Sequence, residues 1–302
     1  MDLLKSKNIT KSIENEINNI VKKTKKIDNN LNKSILVLAG GGIKGFIYIG
    51  VIKYFEEIDI LKNINTFIGT SVGGYYSILL SIGYTYTELY NFIKLFDFEL
   101  NNSYDLTNFF KNYSIDNCDN FLFVFKKLIE KKNINYDITL LELYKKTKKK
   151  IILVTTCVNT KKSEYISYET YPELPLYIAM RMTTSIPLLY PPVKYNDKIY
   201  VDGGLLDNFP IDYVKDKLNE SIGINIIPLV ENSPIDNIQE YIFNLIDVFG
   251  FINNNYTNDI YKNIVYNIPV NKRNPVDMSI TVEEKKQMIK DGYDFIKKYY
   301  KN

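Results

Sequence analysis

Apolar positions along the chain come in two rhythms, short unbroken runs and stripes at helical spacing, and glycine-rich turns stand between them. Residues 1 to 33 are polar and lysine-rich, with Ile9, Ile13, Ile17, Ile20 and Val21 spaced as one face of an amphipathic helix. Such a face packs on the body of a protein or meets a lipid surface. The organised pattern begins at Ser34. Ile35 to Leu38 predicts a buried strand, Gly40 to Gly45 a tight loop, and Phe46 to Glu57 a helix with Phe46, Ile49, Ile52 and Phe55 on its inner face. The plan then repeats. Phe67 and Ile68 end a short strand, Gly69 to Gly74 turn sharply, Tyr75 to Ile82 form a helix, and Gly83 stops it. Repeated strand, turn and helix units predict an α/β sheet with functional loops at the C-terminal ends of its strands.

From 85 to 150 the pattern turns helical, aromatic and lysine-rich, which predicts a helical excursion over the sheet edge, lid-like in position. Its last stretch, Lys145, Lys146, Lys148, Lys149 and Lys150, reads as a solvated helix end, with contact to phosphate headgroups as the other option. Strand patterns return in KKIILVTTCVNT and SEYISY, a predicted pair. A proline-rich loop, TTSIPLLYPPV, leads to KIYVDGGLLDNFPI and to a last apolar run, SIGINIIPL. Beyond Glu231, helical patterns at 238 to 252 and 281 to 300 close the domain. The expected division is a basic extension over 1–33, a catalytic α/β domain over 34–231 and a helical segment over 232–302.

With 302 residues and 45% hydrophobic content, the chain can bury a substantial core. Its 38 Lys plus Arg stand against 35 Asp plus Glu, a net +3 that is too balanced for the basic field of a nucleic-acid binder. The N-terminal 33 residues hold a local excess of lysine, which is where attraction to anionic lipid would concentrate. Cys118 and Cys157 lack metal-ligand spacing, and Cys157 follows an apolar run as a buried thiol would. Nothing resembles a signal peptide or a membrane span, so a cytoplasmic setting with at most peripheral membrane contact is expected. No EF-hand loop is present, and no metal or cofactor is expected.

The glycines carry the chemistry. GGGIKG at Gly40 to Gly45 satisfies the dinucleotide spacing between a strand and a helix, but the acidic residue that should close the next strand is missing. A Walker loop is excluded because Phe46 stands where its lysine belongs. Glycines also gather backbone N–H groups in one small space, which suits an oxyanion. FIGTSVGGYY supplies the reason for one: Ser71, between Gly69 and Gly73, is set for a sharp strand-to-helix turn at the positive end of a helix. The chain contains no histidine, so a carboxylate, lysine, tyrosine or water must take the serine proton. Lys44 is charged near neutral pH unless strongly desolvated. Asp202 in YVDGG is the better candidate, since it ends an apolar run and Gly203 and Gly204 leave space around it. Ionised at pH 7, it can accept the serine proton as attack makes that proton acidic. A turn aspartate in an Asp-Gly signal is its plainer reading.

GGGIKG, GTSVGG and DGG, in this order, resemble the three signatures of the patatin-like phospholipases. ITLLELYKKTKKKIILVTTCVNT and TTSIPLLYPPVKYNDKIYVDGG add to the likeness, which spans about Ser34 to Pro228. The resemblance implies a three-layer α/β/α fold with a central, mostly parallel sheet, related to cytosolic phospholipase A2. It implies Ser71 as nucleophile, Asp202 as proton acceptor, and an oxyanion loop of Gly40, Gly41, Gly42, Lys44 and Gly45. Lys44 stands where the family often carries arginine, so a bidentate role is weakened. The implied activity is a serine acyl hydrolase acting on phospholipid or another lipid ester at a peripheral membrane surface. A catalytically silent lipid-binding or interaction protein on the same scaffold is the alternative, and a nicotinamide-binding enzyme a third. Asp207 is expected past the strand end and outside the dyad.

Overall fold

The computed structural model describes residues 33–95, 109, 111–229, 241, 244, 245, 248, 259–270 and 280–300. The N-terminal amphipathic stripe and most of the 238 to 252 pattern lie outside these residues. Within them the order is β1 (Ile35–Leu38), a 3-10 turn (Gly42–Phe46), α1 (Ile47–Glu57), β2 (Thr66–Thr70), α2 (Val72–Ser81) and α3 (Tyr86–Leu95). Then come α4 (Asp119–Lys131), α5 (Leu140–Thr147), β3 (Lys150–Cys157), β4 (Lys162–Ile166) and α6 (Leu176–Thr184). The chain continues through β5 (Val193–Tyr195), β6 (Lys198–Asp202), β7 (Ser221–Pro228), β8 (Val265–Val270) and α7 (Val282–Tyr299).

Following hydrogen-bonded neighbours, the strands run β5–β6–β3–β2–β1–β7–β8, with β4 paired to β3. β3, β2, β1, β7 and β8 are mutually parallel, whereas β4, β5 and β6 join antiparallel. The fold is therefore α/β with a mixed, mostly parallel sheet. All four residues of β1 are buried, as expected of a central parallel strand covered on both faces. Its side chains alternate between two cores. Leu36 and Leu38 join a large cluster to which each of the helices α1 to α7 contributes, while Ile35, Val37 and Ala39 pack with Phe209, Ile211, Val214, Tyr261 and Ile264. The helices of the 85 to 150 excursion belong to the large cluster through Leu89, Ile93, Phe125, Leu128 and Leu143.

Several boundaries differ from the sequence reading, each for a local reason. α2 begins at Val72 rather than Tyr75 because Ser71 itself is the N-cap. The loop read over TTSIPLLYPPV begins with the last two residues of α6, a helix the sequence reading did not place: Pro175 stands at its N-cap, and the other prolines follow after the helix ends. β8 falls between the two helical patterns read beyond Glu231, where no element was predicted. Among the described residues it pairs with β7 alone, and at such an edge Pro269 can lack its N–H. α7 matches its prediction closely, opening with a capping box between Thr281 and Glu284.

α7 crosses α1 at very short range. A Cβ on Gly50 would lie 1.9 Å from the Ile289 carbonyl oxygen, and one on Gly292 would lie 2.2 Å from that of Ile47. Two facing glycines thus let the backbones touch, and α1 is the helix that the glycine-rich loop runs into.

Candidate active site

β2 delivers Ser71 to the C-terminal edge of the sheet. Ser71 has φ 53° and ψ −124°, a conformation that L-residues seldom adopt and that costs on the order of 1–3 kcal/mol. The turn closes only because two neighbours lack side chains. A Cβ on Gly69 would lie 2.4 Å from the Gly73 backbone, and one on Gly73 would lie 2.4 Å from the Leu38 carbonyl oxygen. The Ser71 amide donates to Thr183 Oγ1 at 2.9 Å, and that hydroxyl donates to the Val154 carbonyl at 2.6 Å. Thr183, from α6, therefore holds the strained residue against β3. Sequence reasoning missed it, because its signal was one threonine in a segment read as loop.

Asp202 arrives from the opposite direction. β2 occupies one edge of β3 from Lys150 to Val154, and β4 occupies the other from Leu153 to Cys157. β6 pairs with Thr155 to Cys157, so it must continue along the edge that β2 leaves. The two strands meet end to end: Thr70 lies opposite Val154 and Asp202 opposite Thr155. Ser71 and Asp202 thereby come together across 131 residues of sequence. The Thr155 hydroxyl, shared between the carbonyls of Met182 and Val201 at 2.8 Å each, ties α6 and β6 to β3 beneath the junction.

The Asp202 carboxyl is 5% exposed. Its amide donates to the Ser185 carbonyl at 2.9 Å, and its Oδ1 accepts the Gly204 amide at 2.7 Å. Burial drives its pKa upward, the Ser71 hydroxyl and the Gly204 amide pull it down, and burial prevails, leaving it at about 6. Oδ2 has no hydrogen-bond partner among the described residues, while the Ser71 hydroxyl is near enough to lower the carboxyl's pKa. A buried carboxylate oxygen in that condition is costly unless it has a chemical task.

The glycine loop packs onto this junction. A Cβ on Gly40 would lie 3.3 Å from Ser71 Cβ, and one on Gly45 would lie 2.4 Å from a Val72 methyl. Gly42, at φ 54°, turns the chain into the 3-10 segment. The amides of Gly41 and Gly42 stand at its opening, where no intrahelical acceptor exists, and no loop or turn backbone bond among the described residues uses them. Lys44 is 4% exposed within the same turn. The loop after Gly204 supplies Asp207, which the sequence reading set past the strand end, and Asn208, which it did not single out. The Asp207 carbonyl accepts the Thr70 hydroxyl at 2.9 Å, and Asn208 pairs with Gly40 through both backbone and side chain. The Asp207 carboxylate accepts the Tyr165 hydroxyl at 2.7 Å. The Asp202, Gly203, Gly204 turn is sterically fixed as well, since a Cβ on Gly203 would lie 2.4 Å from the Val154 carbonyl.

Elsewhere, Lys146, Lys149 and Lys150 are bonded to Asn133, Ile64 and Glu169, so part of the basic cluster is tied to the protein. Both cysteines are buried free thiols. Among the described residues no group of His, Cys, Asp or Glu is arranged to hold a metal ion, and no helix is long and apolar enough to cross a membrane.

A mixed, mostly parallel sheet with a serine on a strained strand-to-helix turn places the chain in the class of α/β proteins that gather their functional loops at strand C-termini. Residues 36–215 match the patatin model, described as patatin-like phospholipase, and the chain belongs to that family. It is 36% identical over 185 residues to the "Probable lipid hydrolase 463L" of Invertebrate iridescent virus 6, an alignment covering 59% of this chain and 61% of that protein. It is 29% identical over 222 residues to the uncharacterized protein R571 of Acanthamoeba polyphaga mimivirus, covering 70% and 73%. The chain thus spans about three-fifths of the length of the first relative. Among solved structures, VipD from Legionella pneumophila superposes with a TM-score of 0.62 at 17% identity, over 89% of this chain and 67% of that one. The type III effector ExoU of Pseudomonas aeruginosa gives 0.54 at 12% identity, over 89% and 53%. These structural likenesses are of fold.

Proposed function

We propose that the protein is a serine acyl hydrolase of lipid esters, with phospholipid as the leading substrate class, working through a Ser71–Asp202 dyad. Ser71 Oγ attacks the ester carbonyl carbon while its proton passes to Asp202, and the amides of Gly41 and Gly42 receive the developing oxyanion. The alcohol leaves with the proton from Asp202, and the acyl group stays on Ser71. Water then attacks the acyl-enzyme, giving its proton to the same carboxylate. Fatty acid departs as Ser71 recovers its hydrogen. Lys44 adds positive charge near the oxyanion loop.

The observation that carries this reading is the buried Asp202 Oδ2, without a hydrogen-bond partner among the described residues, beside the strained Ser71 turn. A pKa of about 6 makes Asp202 a stronger base than a free aspartate while leaving it mostly ionised at pH 7. Family membership and a relative named as a probable lipid hydrolase support the substrate class. The test is a fluorophosphonate probe with a panel of phospholipids, lysophospholipids and triacylglycerol, run beside Ser71→Ala. Labelling and turnover should both vanish in the variant. Labelling that survives Ser71→Ala places the nucleophile elsewhere, and a wild type that binds lipid without labelling or turnover would make this a silent scaffold.

A further inference from the structure

We infer that Asn208 is a positioning residue of the oxyanion loop, fixing the peptide plane whose N–H is the Gly41 amide. The inference rests on the hydrolase reading above and concerns how its oxyanion site is held. The Gly40 N–H donates to the Asn208 carbonyl at 2.8 Å, and the Asn208 side-chain Nδ2 donates to the Gly40 carbonyl at 3.3 Å. One residue thus grips both polar groups of Gly40. The two preceding peptides are held too, because the Ala39 N–H donates to the Ile224 carbonyl at 3.1 Å and the Ala39 carbonyl accepts the Tyr48 hydroxyl at 2.5 Å.

A peptide unit is planar and trans, so its C=O and N–H point in opposite directions. Holding the Gly40 carbonyl on the Asn208 side chain therefore turns the Gly41 N–H away from Asn208. Without that bond the Gly40–Gly41 peptide is the first in the segment whose orientation the strand does not set, and glycine on both sides leaves it free to rotate. An oxyanion donor is effective only when it is aimed before the charge develops. The fit around Asn208 is close on two sides. A Cβ on Gly40 would lie 2.1 Å from Asn208 Oδ1, and one on Gly204 would lie 3.0 Å from the same atom. The amide group is wedged between the loop proposed to hold the oxyanion and the turn that follows Asp202. One short loop, from Asp202 to Asn208, therefore carries the proposed base and sets the proposed oxyanion donor.

Asn208→Leu keeps the side-chain shape without a donor, and Asn208→Ala removes the side chain. Both are compared with wild type and Ser71→Ala in turnover of a soluble ester, in thermal melting, and in affinity for a fatty trifluoromethyl ketone. Such a ketone forms an ionised hemiketal with a nucleophilic serine and so measures oxyanion stabilisation directly. In each Asn208 variant kcat should fall about 10- to 100-fold, less than the roughly 10²- to 10³-fold cost of deleting a donor outright, with KM within about twofold. Ketone affinity should fall by the same factor as kcat. Unchanged kcat in either folded variant overturns the inference, as does a loss that appears in KM and not in ketone affinity. Failure of both variants to fold would make Asn208 structural and overturn it as well. Ser71→Ala separates the two levels. If it keeps full turnover, the hydrolase reading itself fails; if it is inactive while the Asn208 variants turn over normally, only the positioning role is lost.

Discussion

Asp202→Asn should make the protein more stable while removing its turnover. Asp202 titrates at about 6 in the folded chain against an ordinary value of 3.8, because burial penalises the carboxylate. The folded state therefore holds this proton more tightly than the unfolded state does. The stability linked to that proton is fully present below pH 3.8 and is lost as pH rises through about 6. At about 1.36 kcal/mol per pKa unit, keeping Asp202 ionised at pH 7.5 costs the fold about 3 kcal/mol. An asparagine has the same shape, can still accept the Gly204 amide, and carries no charge to desolvate. The assay is urea denaturation of wild type and Asp202→Asn at pH 7.5 and at pH 4.5. Other shifted carboxylates, Glu56 and Asp207 upward and Glu88 and Glu164 downward, are common to both proteins and cancel in the difference. The variant should lead by up to about 3 kcal/mol at pH 7.5, and most of that lead should be gone at pH 4.5. Turnover at pH 7.5 should meanwhile fall about a hundredfold or more, the usual cost of losing a positioned base. An equal stability difference at the two pH values would refute the linkage argument, and near-normal turnover would refute the assignment of the base.

In wild type, kcat/KM should rise with pH to half its maximum near 6 and fall about tenfold per pH unit well below it, since one carboxylate must be ionised. With no histidine in the chain, a second rising limb near 7 would point to another group. Thr183→Val deprives the strained Ser71 amide of its partner. It should cost about 1–3 kcal/mol in denaturation and lower kcat about tenfold or more, with Thr183→Ser restoring most of both. Intact kcat in the valine variant would show that the turn holds itself. Asp207→Asn should retain most of its turnover, because that carboxylate is engaged with Tyr165. A loss as deep as that of Asp202→Asn would bring Asp207 into the proton path.

What the sequence made legible was whatever rests on local chemistry. The strand, glycine loop and helix at Ile35 to Glu57 could be read because close backbone approach leaves glycine as its mark. The pairing of β3 with β4 announced itself by apolar runs at short separation. Ser71 and Asp202 were accessible for the same reason, each set beside the glycines that make room for it. Thr183 and Asn208 were not. Each acts through hydrogen bonds to a residue more than a hundred positions away, and a lone threonine or asparagine leaves no periodic trace. α6 was hidden by the prolines that follow it, and β8 by a single proline that an edge strand tolerates.

β1 lies between β2 and β7, and β7 runs from Ser221 to Pro228, beyond the 36–215 stretch that matches the family. The close crossing of Gly50 and Gly292 lies further along still. The portion of the chain by which kinship is recognised is therefore not a self-sufficient folding unit. Cut to that portion, the protein would keep both proposed reacting groups and lose the neighbour on one side of the strand that carries the glycine loop. An open, apolar β1 edge invites association with other chains. Deletion mapping of this protein would accordingly report collapse before it reported chemistry, and the boundary of inheritance would be mistaken for a boundary of function.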